Sequence, residues 1–319
     1  MRGTRARLVS YRALLAAALA ASPAAAAGPH ESGRALPVAF ASEDGTPLHA
    51  SLWRAERPSA GLLIVHGMQS HVQWFEISGT PEALADAGVT VLAYDRRGSG
   101  RSGGPRGHVP SARAFLEDLD AARSELVGIL AEQGAAGAPL HALANCFGTR
   151  ILLPYLGEHP DAFASAVLTA PATKMSRAAD YGAGTKLRIL FSGAQARFPT
   201  PLEDELFVSS GPFLDWIRAD ALSLREVTAG FLRATRKITG RMKKAARSLE
   251  TPMLVVLGSR DAMVVNEAIR SDFVARYRGP IEVVELDSEH YVDFTDQQPA
   301  LARATIAWVR ERSRAEAAP

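Results

Sequence analysis

The 319-residue chain is 47% hydrophobic and 22% charged with a formal net charge of +2, a balance that excludes a disordered or fibrous protein and is too mild to imply nucleic acid as a partner. Its length supports one full core, most simply a single domain carrying an insertion. With one cysteine and no zinc-spaced ligands, Walker loop or dinucleotide fingerprint, neither a metal nor a nucleotide cofactor is expected.

At the amino terminus, Arg2, Arg5, Arg7 and Arg12 precede a short apolar run from Ala13 to Ala21, then Ser22-Pro23 and Ala25-Ala26-Ala27 before Gly28. That pattern predicts a cleavable secretory signal over residues 1–27, hence a secreted or periplasmic protein. The run is too short to span a bilayer and no other apolar stretch reaches that length, so no stable membrane span is expected. Leu36 to Phe40 and Leu48 to Trp53 predict an antiparallel hairpin around Glu43-Asp44-Gly45-Thr46-Pro47. Leu62 to Val65 has the continuous apolar character of a strand buried on both faces, and it ends at His66-Gly67-Met68-Gln69-Ser70-His71. A helix from about Pro81 to Ala87 leads to a strand over Val89 to Tyr94, followed by Asp95-Arg96-Arg97-Gly98-Ser99-Gly100-Arg101-Ser102. Phe115, Leu119, Ala122, Leu126 and Ile129 recur at helical spacing and predict a helix over Ser111 to Gln133. Alternation of strand and helix implies a parallel sheet.

The next strand runs through Leu140-His141-Ala142-Leu143-Ala144-Asn145 into Cys146-Phe147-Gly148, with a helix continuing to about Gly157 and a strand over Ala164 to Thr169. The alternation then stops, and residues 172–250 predict an inserted, mainly helical cap with helices near Asp215 to Asp220 and Leu224 to Lys237. Its basic run, Arg236, Lys237, Arg241, Lys243, Lys244 and Arg247, is expected to be a solvated helix face. The sheet resumes with Met253 to Leu257, a helix over Val265 to Tyr277, a strand over Ile281 to Leu286 and a final helix from about Pro299 to Arg312. The domain organisation expected is therefore a core over 28–171 and 251–319, interrupted by the cap.

Ala144-Asn145-Cys146-Phe147-Gly148 has the form of a nucleophile elbow, with small residues two before and two after the reactive position, and with cysteine where serine usually stands. A helix opening just after Cys146 directs free N–H groups and the positive end of its dipole at the sulfur. Taken alone, a single buried cysteine is equally an inert core residue. The order of the chain adds a histidine and an acid: Asp261 follows one predicted strand in Gly258-Ser259-Arg260-Asp261, and His290 follows another in Asp287-Ser288-Glu289-His290. Open α/β sheets gather such residues at the carboxyl ends of their strands. Cys146 would be the nucleophile, His290 the proton carrier and Asp261 its orienting acid, with the backbone N–H groups of Met68 and Phe147 as oxyanion donors. His66 and His71 are expected to brace the loop or line the pocket.

The chain resembles the monoacylglycerol lipase and lysophospholipase branch of the α/β-hydrolase superfamily. His66-Gly67-Met68-Gln69-Ser70-His71 is similar to that branch's H-G-x-x-x-H loop, and Tyr94 to Ser102 with Gly104-Pro105-Arg106-Gly107-His108-Val109-Pro110-Ser111 is similar to its Y-D-x-R-G-x-G-x-S…G-P-R-G-H-x-P-S run. The resemblance covers about Leu36 to Arg312. It implies the α/β-hydrolase fold, a mostly parallel central sheet flanked by helices with an inserted cap, and hydrolysis of a carboxylic ester whose acyl chain lies under that cap. The departures cluster at the elbow, where the branch's G-H-S-M-G-G is Ala144-Asn145-Cys146-Phe147-Gly148-Thr149. A thiolate leaves more readily than an alkoxide, so cysteine suits activated esters, thioesters, lactones or acyl transfer. The expected activity is ester hydrolysis through an acyl-cysteine. Transfer of the acyl group to an alcohol or amine, and a non-catalytic ligand-binding protein on the same fold, are the alternatives. A small acyl substrate is the expected partner, and the oligomeric state is open.

Overall fold

The computed structural model describes residues 28–29 and 33–316, so the signal segment expected over 1–27 lies outside the described residues. The chain opens with a hairpin, β1 (Leu36–Ala41) against β2 (Pro47–Trp53), which joins a sheet of eight strands by antiparallel pairing of β2 with β4 (Val89–Tyr94). The remaining strands, β3 (Ala60–Val65), β5 (Leu140–Asn145), β6 (Ser165–Thr169), β9 (Met253–Gly258) and β10 (Ile281–Leu286), pair in parallel, giving the order β1-β2-β4-β3-β5-β6-β9-β10. β3 connects to β4 on one side, and β4 then crosses back over β3 to β5 on the other. The order reverses at β3 and β5, which opens a crevice beyond their carboxyl ends.

The period-two alternation of strand side chains fills a separate core on each face. Leu63 and Val65 pack with helices α3 (Ala112–Glu132) and α4 (Gly148–Glu158), whereas Leu62 and Ile64 pack with residues of α2 (Thr80–Asp86) and the carboxyl-terminal helix α9 (Gln298–Glu316). Ser111 caps α3 by accepting the Ala114 N–H at 3.1 Å, satisfying a donor that the first helical turn leaves free.

Between β6 and β9 no strand joins the central sheet. This segment holds α5 (Ala183–Phe191), α6 (Pro212–Ala219) and α7 (Ala229–Ala245), with a small antiparallel ribbon of β7 (Arg197–Pro199) and β8 (Glu226–Thr228). The sequence pattern does not signal α5, the ribbon or the short α1 (Gln73–Glu76). The helix expected over Leu224 to Lys237 begins later and ends later, because Thr228 is its cap, accepting the Phe231 N–H at 3.1 Å. The helix expected over Val265 to Tyr277 is broken into one α turn, α8 (Asn266–Ala268), a π turn over Ile269–Phe273 and a 3-10 turn over Val274–Arg276. Buried Ile269 and Phe273 supply the helical spacing, but Ser271 and Asp272 between them are weak helix formers. The Asn266 side chain donates to the Gly258 carbonyl at 2.7 Å, which ties the start of this segment to β9.

Candidate active site

β5 delivers Cys146 into a tight turn with φ of 45°, one of two non-glycine residues with positive φ among the described residues. That conformation costs on the order of 1–2 kcal/mol for a residue with a Cβ, so the surroundings must impose it. The Cys146 N–H donates to the Thr169 carbonyl at 2.9 Å, and its own carbonyl accepts the Thr149 and Ala172 N–H groups at 3.1 and 3.2 Å. Gly148 is small because a Cβ there would overlap the Val65 carbonyl. Gly148→Ala should therefore lower the unfolding midpoint in urea by an amount equivalent to about 2 kcal/mol or more; an unchanged midpoint would mean that β3 and the elbow are not packed this closely.

Asp261 follows β9. Its Oδ1 accepts the Met263 and Val264 N–H groups at 2.8 and 3.0 Å, leaving Oδ2 directed at His290 Nδ1, 2.8 Å away. Both side chains are fully buried. The Nδ1–H donates to the carboxylate, which leaves Nε2 on the opposite edge of the ring, buried and without a hydrogen-bond partner among the described residues. Burial pulls the His290 pKa down, but Asp261 and Cys146 act more strongly the other way, and it is raised to about 10. The structure thus brings the three residues, remote in sequence, to one locus. A folded value above the ordinary 6.5 means that this imidazolium contributes stability fully below pH 6.5 and loses that contribution as pH rises through about 10.

The N–H groups of Met68 and Phe147 have no hydrogen-bond partner among the described residues, and both residues line the cavity that opens at Cys146. Their setting is held by two groups for which the sequence suggested no role or only a general one. His66 sits with Nδ1 on the Gly67 carbonyl at 2.8 Å and Nε2 accepting the Arg96 N–H at 3.1 Å, and burial keeps it neutral by lowering its pKa well below the usual value. Arg96, completely buried, donates from Nη2 to the Gly67 and Met68 carbonyls at 2.7 and 3.0 Å. Its guanidinium lies over the Phe147 ring, 5.0 Å from the centroid, a favourable cation–π placement. One side chain therefore positions both residues that carry the two free donors. The signal for it was a charged residue two positions after a buried strand, which a solvated turn would explain equally well.

The rest of the Tyr94 to Ser102 run is scaffolding. Asp95 accepts the Val72 and Arg101 N–H groups, each at 2.8 Å, and Arg97 is paired with buried Asp118 at 2.6 Å. His71 is likewise structural, its Nε2 meeting Asp220 Oδ2 of the cap at 2.8 Å. Trp74 Nε1 and Ser223 Oγ donate to the same oxygen at 3.1 and 2.7 Å, and the Leu224 N–H donates to the Gln69 carbonyl. Burial would raise the Asp220 pKa, but these donors, His71 foremost, hold it well below the usual carboxylate range. Its contribution to stability is therefore complete above the unfolded value near 4 and is lost as pH falls through the depressed folded value. Asp220→Asn should flatten the acid limb of the stability profile; an unchanged limb would show that Asp220 does not pin the cap.

Under the cap lies a cavity of about 590 Å³. Met68, Phe147, Ala172, Met175, Ile189 and Leu202 give it apolar walls, and Cys146 opens onto it. Apolar walls with a few placed polar groups suit a small organic ligand.

Fold and site together define an α/β-hydrolase. The family described as serine aminopeptidase, S33 (Hydrolase_4) matches residues 56–286, and the chain belongs to that family. It is 27% identical over 228 residues to a monoacylglycerol lipase of Mycolicibacterium smegmatis, an alignment covering 70% of this chain and 79% of that protein. It is also 25% identical over 265 residues to the uncharacterised protein YnbC of Escherichia coli, covering 80% of this chain but only 43% of YnbC. Among solved structures, a soluble variant of monoglyceride lipase from Saccharomyces cerevisiae, in complex with a substrate analogue, superimposes with a TM-score of 0.73 at 15% identity, over 92% of this chain and 99% of that one. That likeness is one of fold. The family description names serine, whereas this elbow carries Cys146.

Proposed function

We propose that the protein hydrolyses the carboxylic ester of a single-chain acyl substrate through an acyl-cysteine on Cys146. The observation that carries this reading is the placement of Cys146 at the strained turn, beside the buried His290 and Asp261 pair and at the wall of an apolar cavity. Strain of this kind persists only where its surroundings impose it, and it is concentrated at functional sites. The monoacylglycerol lipase relative supports the choice of a lipid-like ester.

In this scheme the sulfur attacks the ester carbonyl while its proton resides on His290 Nε2. The carbonyl oxygen gains the negative charge and faces the N–H groups of Met68 and Phe147. As the intermediate collapses, the C–O bond breaks and the departing alkoxide takes the proton from His290. Water then gives a proton to the same nitrogen and attacks the thioester, releasing acid and regenerating the thiol. Because sulfur is the better leaving group, delivery of the proton to the alkoxide decides whether the first intermediate goes forward. The fixed His290 and Asp261 pair supplies that proton from one position.

Incubation with monoacylglycerols and matched acyl thioesters of graded chain length, with free acid quantified, tests the activity. Acid release from some member of the set, abolished in Cys146→Ala, is the expected result. Turnover that survives the substitution would overturn the cysteine mechanism. Absence of turnover across both sets, with no labelling of Cys146 by an electrophilic thiol probe, would leave a ligand-binding protein.

A further inference from the structure

We propose that the ester also carries an anionic group, a phosphate or a carboxylate, recognised in the cavity by Arg150, Arg236 and Lys243. The inference rests on the cavity being the acyl site proposed above.

Around the cavity, five cationic side chains, Arg150, Lys186, Arg233, Arg236 and Lys243, face a single carboxylate, Asp180. Two of the five are committed elsewhere. Lys186 pairs with Asp180 at 2.5 Å, and Arg233 Nη1 donates to the Ile189 and Ser192 carbonyls, each at 2.9 Å, bracing α5 against α7. Of the five, only Lys186 has a carboxylate within ion-pair distance among the described residues; Arg233 is taken up by bracing, which leaves Arg150, Arg236 and Lys243. Arg150 stands one helical turn beyond Cys146, its Nε on the Ala172 carbonyl at 2.8 Å and its Nη1 near Thr239 Oγ1 at 3.4 Å. These partners are neutral, so they orient the guanidinium without compensating its charge. Cys146 and Asp180 act on it from a distance, but burial outweighs them, so holding this cation without a direct ion pair is costly in the empty site.

The basic run of α7 divides by face. Leu232, Arg236, Thr239, Gly240 and Lys243 recur at three- and four-residue spacing and line the cavity. Arg241 points elsewhere and pairs with Glu158 at 3.6 Å. The basic run is exposed throughout, as expected of a solvated face, and two of its members, Arg236 and Lys243, also border the cavity. A neutral glycerol headgroup offers these cations hydrogen-bond acceptors but no opposite charge. An acyl chain against Met68 and Met175 with an anion near these cations uses both the apolar and the cationic lining of the cavity.

The anion could belong to the leaving alcohol, as in an acylglycerol phosphate, or to the far end of the acyl chain, as in a half-ester of a dicarboxylic acid. Binding of three non-hydrolysable ligands of equal chain length by the full chain, followed by calorimetry below their micellar concentrations, separates these. They are an alkyl glycerol ether, the same ether bearing a phosphate, and an alkyl amide ending in a carboxylate. We expect at least one anionic ligand to bind about tenfold or more tightly than the neutral ether, and Arg236→Glu with Lys243→Glu to reduce that ratio by about tenfold. Preference for the phosphate places the anion on the alcohol, and preference for the carboxylate places it on the acyl chain. Arg236→Gln with Lys243→Gln should reduce the ratio in the same direction and guards against misfolding of the charge-reversed form. Equal affinities for all three ligands, or a preference that both double variants leave intact, would overturn the inference. Because no bond is broken in these measurements, loss of the acyl-cysteine mechanism would leave the anion preference standing, and ester turnover without that preference would sink this inference alone.

Discussion

Cys146→Ala is expected to reduce ester turnover by a factor on the order of 10⁴ or more while leaving the fold almost undisturbed. The substitution removes one buried sulfur and leaves a small void, at a cost of about 1 kcal/mol. The backbone contacts that hold the turn, from the Thr169 carbonyl and the Thr149 and Ala172 N–H groups, do not involve the side chain. Far-ultraviolet dichroism and a melting curve close to the parent's would accompany the loss of activity. Cys146→Ser separates two further cases. Serine restores the oxygen nucleophile named in the family description, but its shorter bond to Cβ places the reacting atom less deeply, so its rate reports how far the Met68 and Phe147 donors are set for sulfur.

The second large effect is expected at the His290 and Asp261 pair. His290→Gln should lower turnover on the order of 10³-fold or more, since glutamine can hold a place in the hydrogen-bond network but cannot carry the proton between sulfur, alkoxide and water. His290→Ala would additionally leave Asp261 buried with only two N–H donors and no counter-charge, so it should also destabilise the protein by a few kcal/mol. Asp261→Asn, which cannot orient the imidazole in the same tautomer, should be impaired as well. The double replacement should be hardly worse than the more damaging single one, because the two act as a unit. Multiplicative losses in kcat/KM would assign one of them a purely structural role. Alkylation of Cys146 at neutral pH should slow in His290→Gln if the imidazolium is the partner of the thiolate.

Much of this arrangement was legible in the sequence because its determinants are local. The strands over Leu62 to Val65 and Met253 to Leu257 announce themselves by uninterrupted apolar residues, and Ala144 and Gly148 mark the elbow by their size. Asp261 and His290 were found because each closely follows a strand and the chain order is that of the superfamily. What escaped depends on tertiary contacts. α5 carries Leu187, Leu190 and Phe191 on its exposed surface, so its apolar residues do not form the one-sided stripe that sequence periodicity detects. β7 and β8 are three residues each and exist through pairing with one another across the cap. Arg96 reads as a turn residue, and only the folded chain shows that it is buried against the loop of Gly67 and Met68. The basic run from Arg236 to Arg247 is exposed as its pattern implies, but spacing alone does not say that Arg236 and Lys243 border a cavity.

Intact-mass measurement of the protein during turnover tests the central claim most directly. Rapid acid quenching after mixing with a substrate ester should reveal a population heavier by one acyl group, located on Cys146 by peptide mapping, released by neutral hydroxylamine as a thioester is, and absent from Cys146→Ala. Steady turnover with no acylated species at any quench time, together with activity retained in Cys146→Ala, would contradict the account.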